Sequence, residues 1–447
     1  MRAAAAWLLP PLLAACGAGE PVEPPHVILL SLDTVRADRL GCYGAVPGPT
    51  PRLDALAAGA DRHRSCVAPA PWTLPSHASM FTGLFPFEHG THGFRVEEYV
   101  DNAHPLHPDH LTVAEAMAAA GYETAAFVAN TVYLATRFGL DQGFETYEVR
   151  RQDAAAMTDR ALAFLDDRDP ERPCFLFVNY MDAHRPYGMR SPEELARLPD
   201  AEHPAKLLEE LCEQVMLRGE APGALGERVA SLYDEGLVEL DREVGRLLDG
   251  LAERGLLDGA LVVVTSDHGE AFGEHGVVEH GKDVYQPLVA VPLIVKRPRQ
   301  SEGRVLDAVA SLVDVPGLIA SAVGDDGLEA CFRRLPGTHP VTAEVHFARP
   351  RELLLYGERF QRERTALWSG EHKLIVGGGA AELYDLAADP DEGEDRAGSE
   401  PDRVRALEAE LRALVETGLY QGERLPPAPP TAAQQGEIRS LGYGGGR

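Results

Sequence analysis

A short apolar run at residues 260–264 ends in the polar segment S-D-H-G-E-A-F-G-E-H-G, and this junction constrains the fold more than any other part of the chain. The run is rich in valine and follows Asp258-Gly259, which predicts a buried strand of a parallel sheet. Asp267 and His268 follow shortly after it, where the predicted strand ends. In open α/β sheets, ligands bind at the carboxyl ends of the strands. We therefore predict a ligand site at Asp267 and His268, the alternative being a strand-to-loop junction whose polar residues face water.

A second apolar run, residues 27–32, delivers Asp33 at its end in the same way. Two parallel strands that each end in a carboxylate can place both carboxylates at one edge of one sheet. Two carboxylates and an imidazole, followed by glycines that let a ligand approach the backbone, suit a divalent metal ion. The pattern therefore predicts a metal site at this edge.

The pattern of strands alternating with helices continues along the chain. Apolar runs at 124–128 and 174–180 predict two further strands, and the second leads into M-D-A-H, which places His184 at the same edge. A helical stripe from Val229 to Leu251 precedes the Asp267 strand. Such alternation predicts a large, doubly wound, mostly parallel sheet with helices on both faces. We assign this α/β domain to residues 26–322.

The character of the sequence changes after residue 322. Short alternating runs within residues 340–386 predict a small antiparallel sheet. A helical stripe after Pro401 then predicts a helix that packs on that sheet. We assign residues 323–447 to a smaller α+β domain.

Thr73 lies in the proline-spaced loop A-P-A-P-W-T-L-P, which leads into S-H-A-S-M-F-T and Gly83. A loop that enters a short helix places the Thr73 hydroxyl near a helix N-terminus, where developing negative charge is stabilised. The alternative is that Thr73 or Ser76 only caps the helix.

The charge of the chain limits its partners. The formal net charge is −28, from 42 Lys+Arg against 70 Asp+Glu. Nucleic acid is therefore not an expected partner, because its phosphates would be repelled. An anionic substrate has to be attracted by a local positive site.

Residues 1–25 predict a targeting segment and tether. Met1-Arg2 gives a positive start. Residues 3–15 are apolar, and this run ends in L-A-A-C at 13–16. This resembles a bacterial lipoprotein signal, which implies cleavage before Cys16, lipid on that cysteine, and an exported, membrane-anchored protein in the periplasm or at the cell surface. An ordinary signal peptide is the alternative. The other five cysteines can form at most two disulfides.

Five segments, taken together and in order, resemble the sulfatase family of the alkaline phosphatase superfamily. They are V-I-L-L-S-L-D-T-V-R-A-D-R-L-G-C-Y-G at 27–44, A-P-W-T-L-P-S-H-A-S-M-F-T-G at 70–83, F-L-F-V-N-Y-M-D-A-H-R-P-Y at 175–187, T-S-D-H-G-E-A-F-G-E-H-G at 265–276 and E-L-Y-D-L-A-A-D-P at 382–390. The resemblance implies a large α/β domain with a metal at its strand ends. It also implies a smaller domain with a four-stranded antiparallel sheet and a helix.

The resemblance also assigns roles to individual residues. It implies that Asp33, Asp267 and His268 are metal ligands and that Thr73 is the nucleophile, whose hydroxyl is the fourth metal ligand. The residues that contact the anionic group or the leaving group would be His184, His280 and Lys282. His89 and His92 either line the pocket or hold its loop.

The chain departs from the family pattern at the nucleophile. Sulfatases carry Cys or Ser in C-x-P-x-R and oxidise it to formylglycine, whereas this chain has T-L-P-S-H. Thr73 cannot form that aldehyde, and His77 stands where the arginine would. The ligand set of two carboxylates, one imidazole and one hydroxyl favours zinc or manganese, with calcium as a further option. In these respects the chain resembles phosphoethanolamine transferases and phosphate-ester hydrolases of the superfamily.

We therefore expect a metal-dependent hydrolase of sulfuric esters whose substrate is an anionic ester of a small molecule or glycan. Thr73 would attack in line, form a covalent threonyl intermediate and be released by water. Two alternatives stay open. One is a phosphate mono- or diester hydrolase or a phosphoethanolamine-type transferase, and the other is a lipoprotein that binds such an ester without catalysis.

Overall fold

The computed structural model describes residues 23–94, 103–188, 197–199, 202–347 and 350–422, together with Arg424, Leu425, Pro429, Thr431 and Gln435. The predicted signal, including Cys16, lies outside the described residues. Within the described part of the chain, no helix is both long and apolar enough to cross a bilayer.

The strands run in chain order as follows: β1 Val27–Leu32, β2 Asp61–His63, β3 Cys66–Val67, β4 Glu123–Val128, β5 Thr146–Val149, β6 Cys174–Tyr180, β7 Leu261–Thr265, β8 Ala271–Phe272, β9 Val278–Glu279, β10 Ala290–Val291, β11 Leu293–Lys296, β12 Arg304–Leu306, β13 Ala310–Ser311, β14 Val341–His346, β15 Glu363–Ser369, β16 His372–Val376 and β17 Glu382–Asp385. Eight of them form one sheet in the order β12-β2-β11-β7-β1-β6-β4-β5. The strands β7, β1, β6, β4 and the edge strand β5 are parallel, and β11 runs antiparallel to β7. The predicted large, mostly parallel sheet is confirmed.

The α-helices are Pro51–Ala58, Thr73–Thr82, Pro86–His89, Val113–Ala119, Ala154–Asp167, Pro204–Cys212, Gly223–Glu253, Gln286–Val289, Val315–Val323, Asp326–Cys331, Pro350–Tyr356 and Pro401–Gly418. Shorter helical turns are Ala37–Arg39, Gly41–Tyr43, Thr136–Phe138, Glu213–Leu217, Glu274–Gly276, Leu312–Asp314 and Gly357–Phe360.

Every residue of β1, β6 and β7 is buried. Because neighbouring residues of a strand point to opposite faces, helices have to cover both faces of the sheet. One group contains the long helix Gly223–Glu253, which packs against Ala154–Asp167 and Pro51–Ala58. A second group contains Thr73–Thr82 and Val315–Val323. The sheet is therefore a rigid layer whose strand ends can carry a site.

A smaller antiparallel sheet has the order β14-β15-β16-β17. The helix Pro401–Gly418 covers it by burying Val404, Leu407 and Leu411 against the sheet. This confirms the four-stranded sheet and helix that the family resemblance implied. The predicted boundary at 322–323 falls at the end of the helix Val315–Val323.

The five cysteines of the described residues are all free thiols: Cys42, Cys66, Cys174, Cys212 and Cys331.

Candidate functional site

Neighbouring strand ends bring three predicted ligands together. β1 pairs in parallel with β7, with Ser31 opposite Thr265, so Asp33 and Asp267 leave the sheet at the same edge. Ligand atoms of Asp33, Asp267 and His268 all lie within 4.8 Å of one another, and the three side chains are fully buried. The predicted meeting of these residues therefore follows from the register of the sheet.

The unpaired oxygens of this cluster fit a cation. Asp33 Oδ1 and Asp267 Oδ2 are buried without a hydrogen-bond partner, which is costly unless a positive charge compensates. Burial, together with repulsion from Asp267, raises the pKa of Asp33 to about 7. Burial likewise raises the pKa of Asp267 to about 7. A bound cation would relieve both effects, so the donor set suits a divalent metal ion.

The imidazole of His268 is oriented for the same task. Its Nδ1 lies 2.9 Å from the Gly269 carbonyl oxygen, which can only accept, so Nδ1 carries the proton. Its Nε2 then presents a lone pair 3.4 Å from Asp267 Oδ2 and 3.9 Å from Asp33 Oδ1. A backbone contact that fixes the tautomer in this way is usual for metal-binding histidines.

Thr73 is the first residue of the helix Thr73–Thr82 and is 2% exposed. Its Oγ1 lies 3.4 Å from His268 Nε2, so the hydroxyl adjoins the ligand cluster. The Ser76 hydroxyl instead donates to the Asp267 carbonyl at 2.5 Å. The residue at the helix N-cap is Trp72, without a side-chain cap. Neither hydroxyl therefore caps the helix, and Thr73 faces the cluster.

Asn130 belongs to the site and was missed by sequence reasoning. Its Nδ2 donates to Asp33 Oδ2 at 2.9 Å and to Thr73 Oγ1 at 3.3 Å. Its Oδ1 accepts the backbone N–H groups of Val132 and Tyr133, which fixes the orientation of the carboxamide. Asn130 comes two residues after β4, so the rule that polar residues follow strands at one sheet edge could have found it.

His184 and His280 approach from two further segments. Their ring centroids are 5.1 Å apart, and the His280 ring is 4.6 Å from that of His268. The His280 Nδ1 lies 3.1 Å from a carboxylate oxygen of Glu270, a second residue that sequence reasoning missed. Burial lowers the pKa of His184 well below its usual value. The structure thus brings both predicted histidines close to the cluster of Asp33, Asp267 and His268.

Lys282 is buried near the site but has acidic neighbours. Its Nζ lies 3.2 Å from Glu279 Oε2, 3.2 Å from the His280 carbonyl oxygen and 3.9 Å from Glu352 Oε1. Arg185 also pairs with Glu279, at 2.6 Å. The contact between Lys282 and a substrate stays a prediction.

His89 and His92, which follow the helix Thr73–Thr82, make contacts within the protein. The His89 Nδ1 accepts the Thr91 N–H at 3.0 Å, and its Nε2 lies 3.0 Å from Ser79 Oγ. His92 stacks on His346, with ring centroids 4.1 Å apart. Of the two roles expected for His89 and His92, these contacts favour the structural one.

His77, assigned from the sequence to the arginine position of the family pattern, also contacts groups of the protein interior. Its Nδ1 lies 2.9 Å from the Thr73 carbonyl oxygen, and its Nε2 lies 2.9 Å from Ser31 Oγ. Burial lowers the pKa of His77 to about 3, so the ring is neutral. It therefore does not replace the positive charge of an arginine.

Comparison with known proteins gives a consistent result. A family model described as Sulfatase matches residues 25–324. The chain is 28% identical over 394 residues to the steryl-sulfatase of Mus musculus, covering 69% of this chain and 63% of that protein. It is 24% identical over 387 residues to the N-acetylglucosamine-6-O-sulfatase of Bacteroides thetaiotaomicron, covering 66% of this chain and 67% of that protein.

Two solved structures share the fold. One is the phosphonate monoester hydrolase of Agrobacterium radiobacter, with a TM-score of 0.66 and 19% identity over 88% of this chain and 96% of that one. The other is BT4656 in complex with its substrate D-glucosamine-2-N,6-O-disulfate, with a TM-score of 0.67 and 20% identity over 88% of this chain and 99% of that one.

Proposed function

The chain belongs to the sulfatase family of hydrolases, and on that premise we propose that it cleaves sulfuric esters with Thr73 as the nucleophile. The observation that carries this proposal is the position of the Thr73 hydroxyl. Its Oγ1 lies beside His268 Nε2 and accepts from Asn130, which also donates to Asp33. A nucleophile is thereby held next to the residues that suit a metal.

Asp33, Asp267 and His268 would hold one divalent ion, zinc or manganese, with Thr73 at its edge. An ion bound there supplies charge that polarises an ester oxygen and lowers the pKa of an adjacent hydroxyl. The fit rests on the unpaired carboxylate oxygens and on the His268 tautomer described above.

The side chains would divide the reaction as follows. Thr73 Oγ forms a bond to sulfur while the bond from sulfur to the ester oxygen breaks, and the proton of the threonine hydroxyl passes to a carboxylate oxygen of Asp267. The departing alcohol takes a proton from His280, and His184 contacts the anionic group. Water then attacks sulfur, releasing sulfate and restoring the threonine hydroxyl. Asn130 and the N-terminus of the helix Thr73–Thr82 would orient Oγ throughout.

The substrate would be an anionic ester of a small molecule or glycan. A sulfated glycan is supported by the names of two similar proteins, an N-acetylglucosamine-6-O-sulfatase and a structure in complex with a disulfated glucosamine. The protein itself carries a net charge of −28, so the local cations of the site would have to attract the anion.

A phosphate mono- or diester is the second candidate substrate. Threonine cannot be converted to formylglycine, and one similar structure is a phosphonate monoester hydrolase. Transfer to an acceptor alcohol, as in phosphoethanolamine transferases, would appear as a product that depends on that acceptor. Binding without catalysis is the third candidate.

The test compares purified wild-type protein with Thr73→Ala on 4-nitrophenyl sulfate, 4-nitrophenyl phosphate and bis(4-nitrophenyl) phosphate, after metal analysis. We expect stoichiometric metal, fastest cleavage of the sulfate, and a loss of at least about 1,000-fold in kcat in the variant, because removing a nucleophile abolishes the covalent route. Mass spectrometry of a rapidly quenched reaction should find a sulfate group esterified to Thr73 on the peptide that contains this residue.

Thr82→Ala is the matched control. Thr82 ends the same helix, is buried, and donates its hydroxyl to the Ala78 carbonyl at 2.7 Å, away from the cluster. It should keep wild-type rates. Faster phosphate cleavage would make the protein a phosphoesterase, and unchanged turnover in Thr73→Ala would exclude Thr73 as the nucleophile. Bound metal with no cleavage of any ester would favour the binding protein.

We also propose that the protein is exported and anchored to a membrane through lipid on Cys16. The support is the L-A-A-C segment at residues 13–16 after an apolar run. Mass spectrometry of the membrane-extracted protein should find a diacylglyceryl group on an N-terminal Cys16. Cleavage at any other residue would contradict the proposal.

A further inference from the structure

A buried ion pair of the small domain, Lys373 with Glu392, forms hydrogen bonds to the segment that carries His280. Lys373, on β16, is fully buried, and its Nζ donates to the Val284 carbonyl at 2.7 Å and pairs with Glu392. Glu392 also accepts the backbone N–H of Gln286 at 2.7 Å. The pair therefore binds the main chain on both sides of Tyr285.

Side chains of the same segment are held by the small sheet as well. Asp283 accepts hydrogen bonds from Arg362 at 2.6 Å and from Arg364 at 3.0 Å. The Tyr285 hydroxyl donates to Glu382 at 2.8 Å. Residues 283–286 are thus each tied to the small domain, through a side chain or the main chain.

The other end of the segment is tied to the nucleophile loop. The Gly281 N–H donates to the Pro71 carbonyl at 2.8 Å, two residues before Thr73. Gly281 has a φ of 75°, a conformation that a residue with a Cβ adopts only with strain. His280 itself contacts Glu270, and the next residue, Gly281, is bound to Pro71. The small domain then holds the chain at residues 283–286.

The use of lysine in this chain makes the pair unusual. The sequence holds four lysines, at 206, 282, 296 and 373. Three of them are buried, and Lys206 is exposed. A buried ion pair seldom stabilises a fold more than apolar residues of the same volume would. Stability of the fold alone therefore does not explain Lys373 and Glu392.

We propose that Lys373 and Glu392 are positioning residues that hold the His280 segment against Thr73, so that the small domain sets the geometry of the ester-cleaving site. This inference rests on the proposed function of that site. Neither residue touches the reacting atoms, since both act through the main chain at Val284 and Gln286.

The test uses Lys373→Met and the double variant Lys373→Met/Glu392→Leu, which leaves no unpaired buried charge. Hydrogen exchange of the metal-free protein should be faster in both variants for the peptide covering 278–289. Exchange should be unchanged in the helix Ala154–Asp167. This experiment measures how firmly the small domain holds residues 278–289, and it needs no substrate.

The second readout is the ratio of rates on a nitrophenyl ester and on the corresponding unsubstituted phenyl ester. If the segment holds the proton donor in place, both variants should lose at least about 10-fold more rate on the phenyl ester, whose leaving group needs the proton. The ratio is measured within one preparation, so it does not depend on how much protein is folded.

Lys296→Met is the matched control. Lys296 is another buried lysine, and its ammonium binds the carbonyls of Leu257, Asp258 and Ala260 at the opposite end of β7 from Asp267. This variant should lower stability while keeping both the exchange of 278–289 and the leaving-group ratio.

The outcomes separate the two proposals. If the Lys373 variants behave like Lys296→Met in both readouts, the positioning role is wrong. If the variants exchange faster at 278–289 but the wild-type protein cleaves no ester, the small domain does hold this segment in place. The proposed function is then wrong, and so is the proposed effect of the segment on ester cleavage. Normal exchange with normal ester cleavage would reject only the positioning role.

Discussion

Asn130 uses one carboxamide to fix two functional groups. Its Nδ2 hydrogens are divided between Asp33 and Thr73, and its Oδ1 is held by two backbone N–H groups. The distance between the Asp33 carboxylate and the Thr73 hydroxyl is therefore set by a neutral side chain. A neutral donor holds Asp33 without competing for its charge, which stays available to a cation.

We predict that Asn130→Ala lowers kcat about 10- to 100-fold and weakens metal binding by a similar factor, as removing partners of metal ligands does in other proteins. Steady-state kinetics and metal titration against a chelator would measure both effects. Thr82→Ala is again the control, and an Asn130→Ala variant with unchanged kcat and metal affinity would refute the role.

The sequence supports part of this site at residue level. Asp33, Asp267 and His268 are predictable because each lies within three residues of the end of an apolar strand, and the parallel register then brings them together. Asn130 also follows a strand, but an amide is not a typical ligand or catalyst, so its position alone does not predict a role in the site. Glu270 could not be predicted, because its contact with His280 depends on how the intervening loop turns back.

At the scale of elements, the long helix Gly223–Glu253 approaches the His184 loop very closely. A Cβ added at Gly236 would lie 2.4 Å from the Asp182 carbonyl oxygen. The helix can therefore sit against residues 182–183 only because position 236 lacks a side chain. This contact supports the loop that leads to His184.

We predict that Gly236→Ala destabilises the protein although alanine is the better helix former. Helix propensity favours alanine by about 1 kcal/mol, whereas forcing a methyl group into a packed contact costs about 1–3 kcal/mol. Urea unfolding should show a lower free energy of unfolding. Gly259→Ala, where no atom lies within 4 Å of the added carbon, is the comparison. A Gly236→Ala protein more stable than wild type would show that the helix can shift away.

Elements were predictable where one pattern dominates. The central strands are short continuous apolar runs and the long helix has an apolar stripe of 3.6-residue period, so their type follows from sequence. The burial of Lys373 does not, since H-K-L-I-V in β16 looks like a strand with an exposed lysine. It is buried because residues 284–286 cover that position, and their arrival depends on tertiary packing.

At the scale of the whole molecule, the two sheets share one core. Apolar residues of the small sheet, among them Val341, Ala343 and Ile375, belong to the same contiguous cluster as the strands of the large sheet. Buried ion pairs such as Asp283 with Arg364 also cross between the two parts. Separating them would expose apolar surface and leave charges unpaired.

We therefore predict that both domains unfold in a single cooperative transition. Calorimetry should give a van't Hoff enthalpy close to the calorimetric enthalpy. A chain ending at residue 322 should lack that transition or unfold at a much lower temperature. Two resolved transitions in the full chain would show instead that the domains are independent, as the sequence division at 322–323 alone would suggest.

The scarcity of exposed lysine makes the protein a selective target for amine chemistry. Acylating reagents would meet Lys206 and any free α-amino group in the native state, while Lys282, Lys296 and Lys373 are shielded. Coupling to a solid support would therefore attach the molecule in nearly one orientation. Acylation of Lys373 would require residues 284–286 to move away from its ammonium group. The acylation rate of Lys373 would therefore report how often the segment that carries His280 opens.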